Sequence, residues 1–441
     1  MWPGLRCHPA IVNQSRTFAP SGPSFPFASI PPATYFGHAT RPKFPAGKST
    51  DCPVPYFDHN ATAPLHPAAR AAWLDAADRL WHNPSGLHAA ATRALASLED
   101  CRERLADLLG CDDPRRIVFT SGATAANNLL ARHLARTAAT DAVAILSPLE
   151  HPAVHAAFGT NFPGRVVESD VDRDGVVPVD VVNATQDACA GRPVACVSVM
   201  AAGNESGVLQ PWQAIAAACR LRRIPYHTDA TQWLGKLPAS GLGGCDWVTG
   251  SGHKFGGPRG VGFLVVPAEA TFFGDVGGPQ ESGRLAGTEN LPGIAGMVAA
   301  LEARDRDASA TATRGAGSRD AAIDFLRRQL PAAVVVSGGA DRLWNTLAIL
   351  IPGADSRKMV AALDRAGIEA STGSACSSGT ASAARVVAAT AGWFSFPPES
   401  TFGMVRFSAG PETTAAEWIA AVGALVAFVS SDSKAPRVAL G

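Results

Sequence analysis

The sequence lacks an excess of charge of either sign, and it also lacks a long apolar segment. Its 441 residues contain 38 Lys and Arg against 38 Asp and Glu, so the formal net charge is zero. A dedicated nucleic-acid or membrane-surface binder carries a basic excess, so we expect neither kind of partner. The longest apolar run, Trp418 to Val429, is shorter than the roughly 20 residues that a bilayer crossing needs. With 46% hydrophobic and 17% charged residues, the chain is instead predicted to form a large folded core.

The nine cysteines include no CxxC pair and no spacing typical of a zinc site. An odd, scattered set is typical of a reducing compartment, where most thiols are small buried hydrophobes. We therefore expect a cytoplasmic protein. His151 and His155 lie four residues apart, but no carboxylate triad or HExxH motif accompanies them, so no metal is expected.

Residues 1–50 contain no Asp or Glu, although they contain Arg, Lys and many Pro residues. No apolar segment follows a basic start, which argues against a secretory signal. Two interpretations stay open: a disordered or misassigned upstream extension, or an organellar transit peptide. The fold is therefore sought after residue 50.

From residue 97 onward, short β-rich runs alternate with helical segments. The predicted helices are 97–109, 125–138, 211–222 and 319–329, and the predicted strands are 116–120, 142–146, 194–200, 226–228, 247–249, 261–266, 332–337, 347–351 and 405–408. This alternation predicts an α/β fold with a mostly parallel sheet covered by helices on both faces. Near the C-terminus, Thr414 to Glu417 reads T-x-x-E, a capping box that opens one more helix.

The pattern turns small and polar over residues 301–317, which predicts a connection to a second, smaller domain. The expected organisation places a leader or disordered extension at 1–50, a segment shared with the small domain at 51–70, a large domain at 71–305, a small domain at 306–435 and a tail at 436–441.

The strongest chemical signal is a glycine-rich loop between two predicted strands, Ser251-Gly252-His253-Lys254-Phe255-Gly256-Gly257-Pro258. A lone lysine is usually a solvated charge. In this apolar, glycine-rich context Lys254 can lose its proton and form a Schiff base.

Two further motifs are consistent with a cofactor bound at Lys254. Asp229 ends a predicted strand, where a buried carboxylate needs a cationic partner, and a protonated pyridine nitrogen is such a partner. The turn Ser121-Gly122-Ala123-Thr124 follows a strand and opens a helix, so its backbone N–H groups are suited to a phosphate. Each motif alone is weak, but a phosphate cradle, an aspartate and a Schiff-base lysine together predict pyridoxal 5′-phosphate.

At this point the sequence resembles the class V pyridoxal-phosphate enzymes, and among them the cysteine desulfurases of the NifS/IscS type. The resemblance runs from about Tyr56 to Val429. The motifs that carry it, in order, are Phe57-Asp58-His59-Asn60-Ala61-Thr62, Asn83-Pro84-Ser85 with His88, Leu149-Glu150-His151-Pro152-Ala153-Val154, Gly203-Asn204-Glu205-Ser206-Gly207, the Asp229 and Lys254 motifs, Gly287-Thr288-Glu289-Asn290, Ser371-Thr372-Gly373-Ser374-Ala375-Cys376-Ser377-Ser378-Gly379 and Val405-Arg406-Phe407-Ser408.

The resemblance implies a fold-type I enzyme with a large mostly parallel sheet domain, a smaller α+β domain and a homodimeric assembly. It implies that Lys254 carries the cofactor and moves the substrate Cα proton, while Asp229 pairs with the pyridinium nitrogen. The implied cofactor-binding residues are Ala123, Thr124, His151, Asn204, Asp229, Gln232, Ser251, His253, Lys254 and, from the partner subunit, Thr288.

The resemblance also implies more specific roles for four residues. His151 is implied to stack on the ring and act in proton transfer, and Asn204 and Gln232 to bind substrate or the ring hydroxyl. Arg406 is implied to clamp the substrate carboxylate, a task that suits its bidentate fork.

Cys376 lies in a run of small residues from 370 to 384, which predicts a mobile loop. A thiolate on such a loop can attack the sulfur of a substrate cysteine. The expected reaction converts L-cysteine to L-alanine and leaves a persulfide on Cys376, which then passes sulfur to an acceptor protein such as an iron–sulfur scaffold or a thiolation protein.

Where the family pattern reads E-R-G-x-R-x-G-T, this chain reads Glu281-Ser282-Gly283-Arg284-Leu285-Ala286-Gly287-Thr288. Both expected arginines are replaced, and Ala125 stands where the family has an acid. Three alternatives therefore stay open: a selenocysteine lyase or other lyase of the same class, a class V aminotransferase, and a catalytically silent binding scaffold.

Overall fold

The computed structural model describes residues 55–270, 274–373, 385–390 and 402–431. In these ranges the helices are α1 (Pro67–Arg79), α2 (Ala89–Leu109), α3 (Ala123–Thr137), α4 (Pro152–Asn161), α5 (Val181–Ala184), α6 (Gln186–Cys189), α7 (Trp212–Leu221), α8 (Leu291–Asp305), α9 (Ala308–Gln329), α10 (Ser356–Arg365), α11 (Arg385–Thr390) and α12 (Ala415–Ser431). The strands are β1 (Ile117–Thr120), β2 (Val143–Leu146), β3 (Val166–Glu168), β4 (Val194–Ser198), β5 (Tyr226–Asp229), β6 (Trp247–Ser251), β7 (Gly262–Val265), β8 (Val334–Val335), β9 (Thr346–Pro352) and β10 (Phe402–Ser408).

Seven strands form one sheet in the order β1-β7-β6-β5-β4-β2-β3. Neighbours from β6 to β3 are parallel, whereas β7 is antiparallel to both β6 and β1. The expected mostly parallel sheet is thus confirmed. The carboxyl ends of β2, β4, β5 and β6 meet at one edge, where open α/β sheets usually bind their ligands.

Most strands of this sheet are buried along their whole length, because helices cover both faces of the sheet. All four residues of β1, β2, β5 and β7 are buried. Alternate side chains enter different hydrophobic clusters: Ile117 and Phe119 join one, and Val118 joins the other. This alternation is the period of two expected of a strand packed on both sides.

A second sheet contains three antiparallel strands in the order β10-β9-β8. The N-terminal residues of the described chain pack against it. Tyr56 forms a bridge with Glu369, Asp58 forms one with Ser408, and the Phe57 ring lies 5.0 Å from that of Trp418. This packing brings Asp58 next to β10, which carries Arg406.

The segment 301–317, predicted to connect the large domain to a second one, is largely helical. Most of this segment belongs to α8 and α9, and the predicted helix 319–329 is the end of the 22-residue α9. The other predicted elements exist with shifted ends. Helix α2 ends at Leu109 as expected, because Gly110 has a φ of 66° and stops it.

Four predictions lie wholly or largely outside the described residues: the leader at 1–50, the tail at 436–441, most of the loop at 370–384, and Cys376 itself. The domain boundaries stay predictions. Within the ranges that the structure describes, no helix has both the length and the apolarity needed to cross a membrane.

Candidate active site

A cavity of about 680 Å³ opens at the carboxyl edge of the large sheet. Cys376 lies outside the described residues. Of the other predicted site residues, all but Thr288 line the cavity: Ala123, Thr124, His151, Asn204, Asp229, Gln232, Ser251, His253, Lys254 and Arg406. Thr288 lines a neighbouring cavity of about 700 Å³. The two cavities share Ser121, Ala125 and Gly260 as walls. The structure therefore gathers side chains from a stretch of 284 residues, 123 to 406, into one place.

The N-terminus of α3 faces this cavity. Gly122 precedes the helix with a φ of 144°, a conformation that L side chains rarely adopt, and no side chain caps the helix. A Cβ added at Gly122 would lie 3.5 Å from the Ser251 hydroxyl oxygen. The uncapped N–H groups of a 15-residue helix thus line the cavity wall, and they are the donors that a phosphate accepts from.

Asp229 stands at the end of β5, and both of its carboxylate oxygens accept hydrogen bonds. Asn127 donates its amide N–H to Oδ2 at 3.1 Å, and the Thr231 backbone N–H donates to Oδ1 at 2.9 Å. The side-chain oxygen of Asn127 is buried and has no partner among the described residues. This arrangement fixes the carboxylate and presents an acceptor to the cavity.

Lys254 ends the short 3-10 turn that follows β6. Its ammonium or amine nitrogen donates to the backbone carbonyls of Asn60 at 2.8 Å and Ala61 at 2.9 Å. Glycines allow the tight turn: Gly256 has a φ of 93°, and a Cβ at Gly257 would lie 3.0 Å from the Gly252 carbonyl oxygen. The loop thus directs the Lys254 nitrogen into the cavity.

His151 forms the N-cap of α4, where its Nδ1 accepts the Ala153 N–H at 3.1 Å. Burial lowers the pKa of His151, the nearby Asp229 charge raises it and Lys254 lowers it. A neutral ring that accepts at Nδ1 carries its proton on Nε2. His151 therefore presents an N–H donor on the side away from the helix.

His253 directly precedes Lys254 in the chain and contacts the Thr62 hydroxyl through Nδ1 at 3.1 Å. Burial, followed by the charges of Lys254 and Arg259, lowers its pKa to about 4. The ring is therefore neutral near pH 7, and it can bind a phosphate only as a hydrogen-bond donor.

Arg406 lies on β10 and is 2% exposed. Its guanidinium is held by Asp58 at 2.5 Å, by the Asn204 carbonyl at 2.9 Å and by the Gly373 carbonyl. Its Nε is buried without a partner among the described residues. An unpaired buried N–H is costly, so this atom favours an incoming acceptor such as a carboxylate oxygen.

Sequence reasoning gave no role to four residues that the structure places in or against this site. Asn60 lines the cavity and its carbonyl receives Lys254, Asn127 fixes Asp229, and Asp58 fixes Arg406. Glu150, adjacent to His151, is fully buried and accepts the Met200 N–H at 2.6 Å. Asp58, Asn60 and Glu150 stood in the quoted motifs, whereas Asn127 gave no signal beyond its place one turn into α3.

The two positions at which the family has arginines, Ser282 and Leu285, lie in a loop that is held by the Glu281 carboxylate. Glu281 and Ser282 have φ values of 49° and 58°, and the Glu281 carboxylate forms a buried ion pair with Arg102 at 2.8 Å. Arg284 donates to the Arg115 carbonyl, away from the cavity, and Leu285 packs against a hydrophobic cluster. Ser282, Arg284 and Leu285 therefore supply no charge to the cavity that Lys254 lines.

The donor set fits the chemical groups of pyridoxal 5′-phosphate. The uncapped N-terminus of α3 suits the phosphate, the Asp229 carboxylate suits a protonated ring nitrogen, and the Lys254 amine suits the aldehyde carbon.

Comparison with known proteins agrees with this geometry. The profile of the class-V aminotransferase family matches residues 55–418, and the chain belongs to this family. It is 34% identical over 367 residues to the cysteine desulfurase of Gluconacetobacter diazotrophicus, covering 82% of this chain and 90% of that protein. It is 35% identical over 368 residues to the cysteine desulfurase of Cereibacter sphaeroides, covering 82% and 92%.

Among solved structures, a NifS-like protein superposes with a TM-score of 0.75 at 27% identity, covering 85% of this chain and 99% of the other. A NifS-like protein from Rickettsia africae gives a TM-score of 0.73 at 26% identity, covering 86% and 99%. The resemblance to cysteine desulfurases of the NifS/IscS type is therefore confirmed, as is the expected fold.

Proposed function

We propose that this chain is a pyridoxal-phosphate-dependent cysteine desulfurase that converts L-cysteine to L-alanine and carries the sulfur as a persulfide on Cys376. The observation that carries the proposal is one cavity lined by a lysine amine, a doubly hydrogen-bonded aspartate and an arginine whose Nε has no partner in the described part of the chain. The similarity to cysteine desulfurases over most of the chain supports the choice of substrate.

Arg406, Lys254 and His151 have different roles in the proposed reaction. Arg406 binds the substrate carboxylate, because it lines the cavity and its Nε is a buried donor with no acceptor among the described residues. Bound pyridoxal phosphate supplies an electron sink for negative charge at the substrate α-carbon. Lys254 takes and returns the proton at that carbon. Besides Arg406, His151 presents a hydrogen-bond donor, its Nε2–H, to the cavity.

The sulfur step conserves atoms and electrons without an external oxidant. The Cys376 thiolate bonds to the substrate sulfur, the carbon–sulfur bond breaks and its electron pair stays on the carbon skeleton. Protonation of that carbon completes alanine, and the enzyme retains one extra sulfur. Cys376 follows Gly373 by three residues, a chain length of at most about 11 Å. The Gly373 carbonyl accepts a hydrogen bond from Arg406.

The proposal includes a homodimer, in which Thr288 reaches the phosphate of the partner subunit. Large apolar side chains are exposed on and after α1, among them Trp73 at 41% and Trp81 at 70%. Aromatic side chains are enriched at protein interfaces. The proposal also includes a sulfur-acceptor protein and a cytoplasmic location, which suits the six described cysteines, all buried and unpaired with one another.

The test is an assay of alanine and sulfide from L-cysteine with a reductant, in wild type, Cys376→Ser and Cys7→Ser. The Cys7 variant is the matched control, because this residue precedes the segment 55–418 that matches the family. Equal release of both products by wild type and the control, with none from Cys376→Ser, is expected.

Other outcomes contradict the proposal in distinguishable ways. Full activity of Cys376→Ser would favour a lyase, and a higher kcat/KM for selenocysteine would make it a selenocysteine lyase. Formation of a keto acid would indicate an aminotransferase. A purified protein that binds no pyridoxal phosphate would indicate a binding scaffold.

A further inference from the structure

A second lysine lies beneath the cavity and has no part in the reaction described above. Lys236 follows β5 and is 5% exposed. Its Nζ donates to the Gln232 side-chain oxygen at 2.7 Å and to the Gln232 backbone carbonyl at 3.0 Å. Gln232 is itself 5% exposed and lines the cavity.

Resting on the proposed function, we propose that Lys236 is a positioning residue that orients the Gln232 amide so that only N–H groups face the cofactor. The amide nitrogen of Gln232 donates one hydrogen to the Asn60 carbonyl at 3.0 Å. Its oxygen is occupied by Lys236, so its second hydrogen is the group left for the cavity.

The opposite orientation of the amide is unfavourable at both ends. It would turn the Gln232 oxygen toward the Asn60 carbonyl oxygen, and two acceptors repel each other. It would also take the Gln232 side-chain oxygen away from Lys236, so that one Lys236 N–H loses its acceptor. In a buried site each unmet polar group costs about 1–3 kcal/mol, so Lys236 and Asn60 together select one orientation.

The same contacts connect Lys236 to Lys254. The Asn60 carbonyl accepts from Gln232 at 3.0 Å and from Lys254 at 2.8 Å. The Asn60 side chain is held in turn by Thr346 at 2.9 Å and Asn345 at 3.1 Å. A shift of Gln232 therefore changes an acceptor that the catalytic amine shares.

Both acceptors of the Lys236 nitrogen belong to Gln232. Burial lowers the pKa of Lys236 well below its ordinary value, and the positive charges of Lys254 and Arg406 lower it further. Lys236 acts on Gln232 as a hydrogen-bond donor in either protonation state.

The experiment measures the dissociation constant of pyridoxal phosphate from the full-length apoprotein in wild type, Lys236→Met, Gln232→Leu and the double variant. Lys236→Met is expected to weaken binding about tenfold, the worth of one hydrogen bond in a dry site. The double variant is expected to match Gln232→Leu within about twofold, because Lys236 acts through Gln232. Lys358→Met, on the exposed face of α10, is the matched control and is expected to bind as wild type does.

Three results would overturn the proposal: unchanged affinity in Lys236→Met, a full additional loss in the double variant, or an equal loss in Lys358→Met. A wild type that binds no pyridoxal phosphate would instead overturn the proposed function. If Lys236→Met does not fold, Gln232→Glu tests the same idea with Lys236 in place. A carboxylate accepts from Lys236 but has no N–H for the cavity, so binding is expected to weaken about tenfold while the apoprotein stays folded. Wild-type affinity in Gln232→Glu would refute the orientation role.

Discussion

Asp58 and Arg406 form an ion pair with 2.5 Å between the aspartate Oδ1 and the arginine Nη2, although 348 residues separate them in sequence. The arginine side chain is 2% exposed and the aspartate side chain 21%. The pair fixes the guanidinium whose Nε is the proposed substrate anchor.

Asp58→Ala is expected to destabilise the protein by about 3 kcal/mol, because it leaves a buried arginine without its counter-charge. It is also expected to raise KM for L-cysteine more than it lowers kcat, since the anchor loses its orientation. Urea unfolding and steady-state kinetics measure the two effects. Asp75→Ala, which removes the exposed partner of Arg79, is the control and is expected to cost at most about 0.5 kcal/mol. Equal losses in the two variants would contradict the role of Asp58.

Asn127 lies beneath Asp229 and donates to it at 3.1 Å. Asn127→Leu removes this donor and keeps a similar volume, so the aspartate loses one of its two hydrogen bonds. We expect the dissociation constant for pyridoxal phosphate to rise about tenfold. Titration of the apoprotein measures it, with the exposed Asn183→Leu as control. An unchanged constant in Asn127→Leu would show that Thr231 alone holds Asp229.

The parts of this site that sequence predicts are those with a local signature. Lys254 stands in a glycine-rich loop and Asp229 at a strand end, so each is recognisable within about eight residues. The capping box is of the same kind: Thr414 and Glu417 exchange hydrogen bonds at 2.7 Å and 3.2 Å, as the T-x-x-E spacing predicts.

The parts that sequence did not predict depend on distant contacts. Residues 301–317 are small and polar, and this composition gave no signal of the helices α8 and α9 to which most of them belong. Gly315 in α9 lies so close to the Trp344 ring that a Cβ there would overlap it. The links from Lys236 through Gln232 and Asn60 join segments 172 residues apart, for which a single sequence carries no signal.

Arg102 and Glu281 form a second buried ion pair, with side chains 7% and 3% exposed. Glu281 also accepts the Phe119 N–H at 3.0 Å, and so it ties the loop that carries Thr288 to β1. Glu281→Gln is expected to destabilise the protein by about 3 kcal/mol, because the buried arginine loses its counter-charge.

The control for this pair acts on the same arginine from the solvent side. Glu99 contacts Arg102 at 3.2 Å but is 49% exposed. Glu99→Gln is therefore expected to cost at most about 0.5 kcal/mol in urea unfolding. A cost for Glu281→Gln as small as that for Glu99→Gln would show that the loop does not depend on the buried pair.

Glu150 is the fully buried carboxyl next to His151, and one of its oxygens has no partner among the described residues. Burial raises its pKa well above the ordinary 4.5, and the negative charge of Asp229 raises it further. A carboxyl whose pKa is raised on folding keeps its proton to a higher pH in the folded protein than in the unfolded chain. Its contribution to stability is complete below pH 4.5 and is lost as pH rises through the folded-state pKa.

Glu150→Gln keeps the shape and the acceptor for the Met200 N–H, but it cannot ionise. The variant is therefore expected to match wild type in stability near pH 4.5 and to become increasingly more stable than wild type as pH rises. Urea unfolding of both proteins at a series of pH values from 4.5 upward measures the difference in the free energy of unfolding. Glu103→Gln, at an exposed position of α2, is the control and is expected to show no such trend. A stability difference that stays constant with pH would mean that Glu150 is ionised in the folded protein, and the lone buried oxygen would then need a cationic partner.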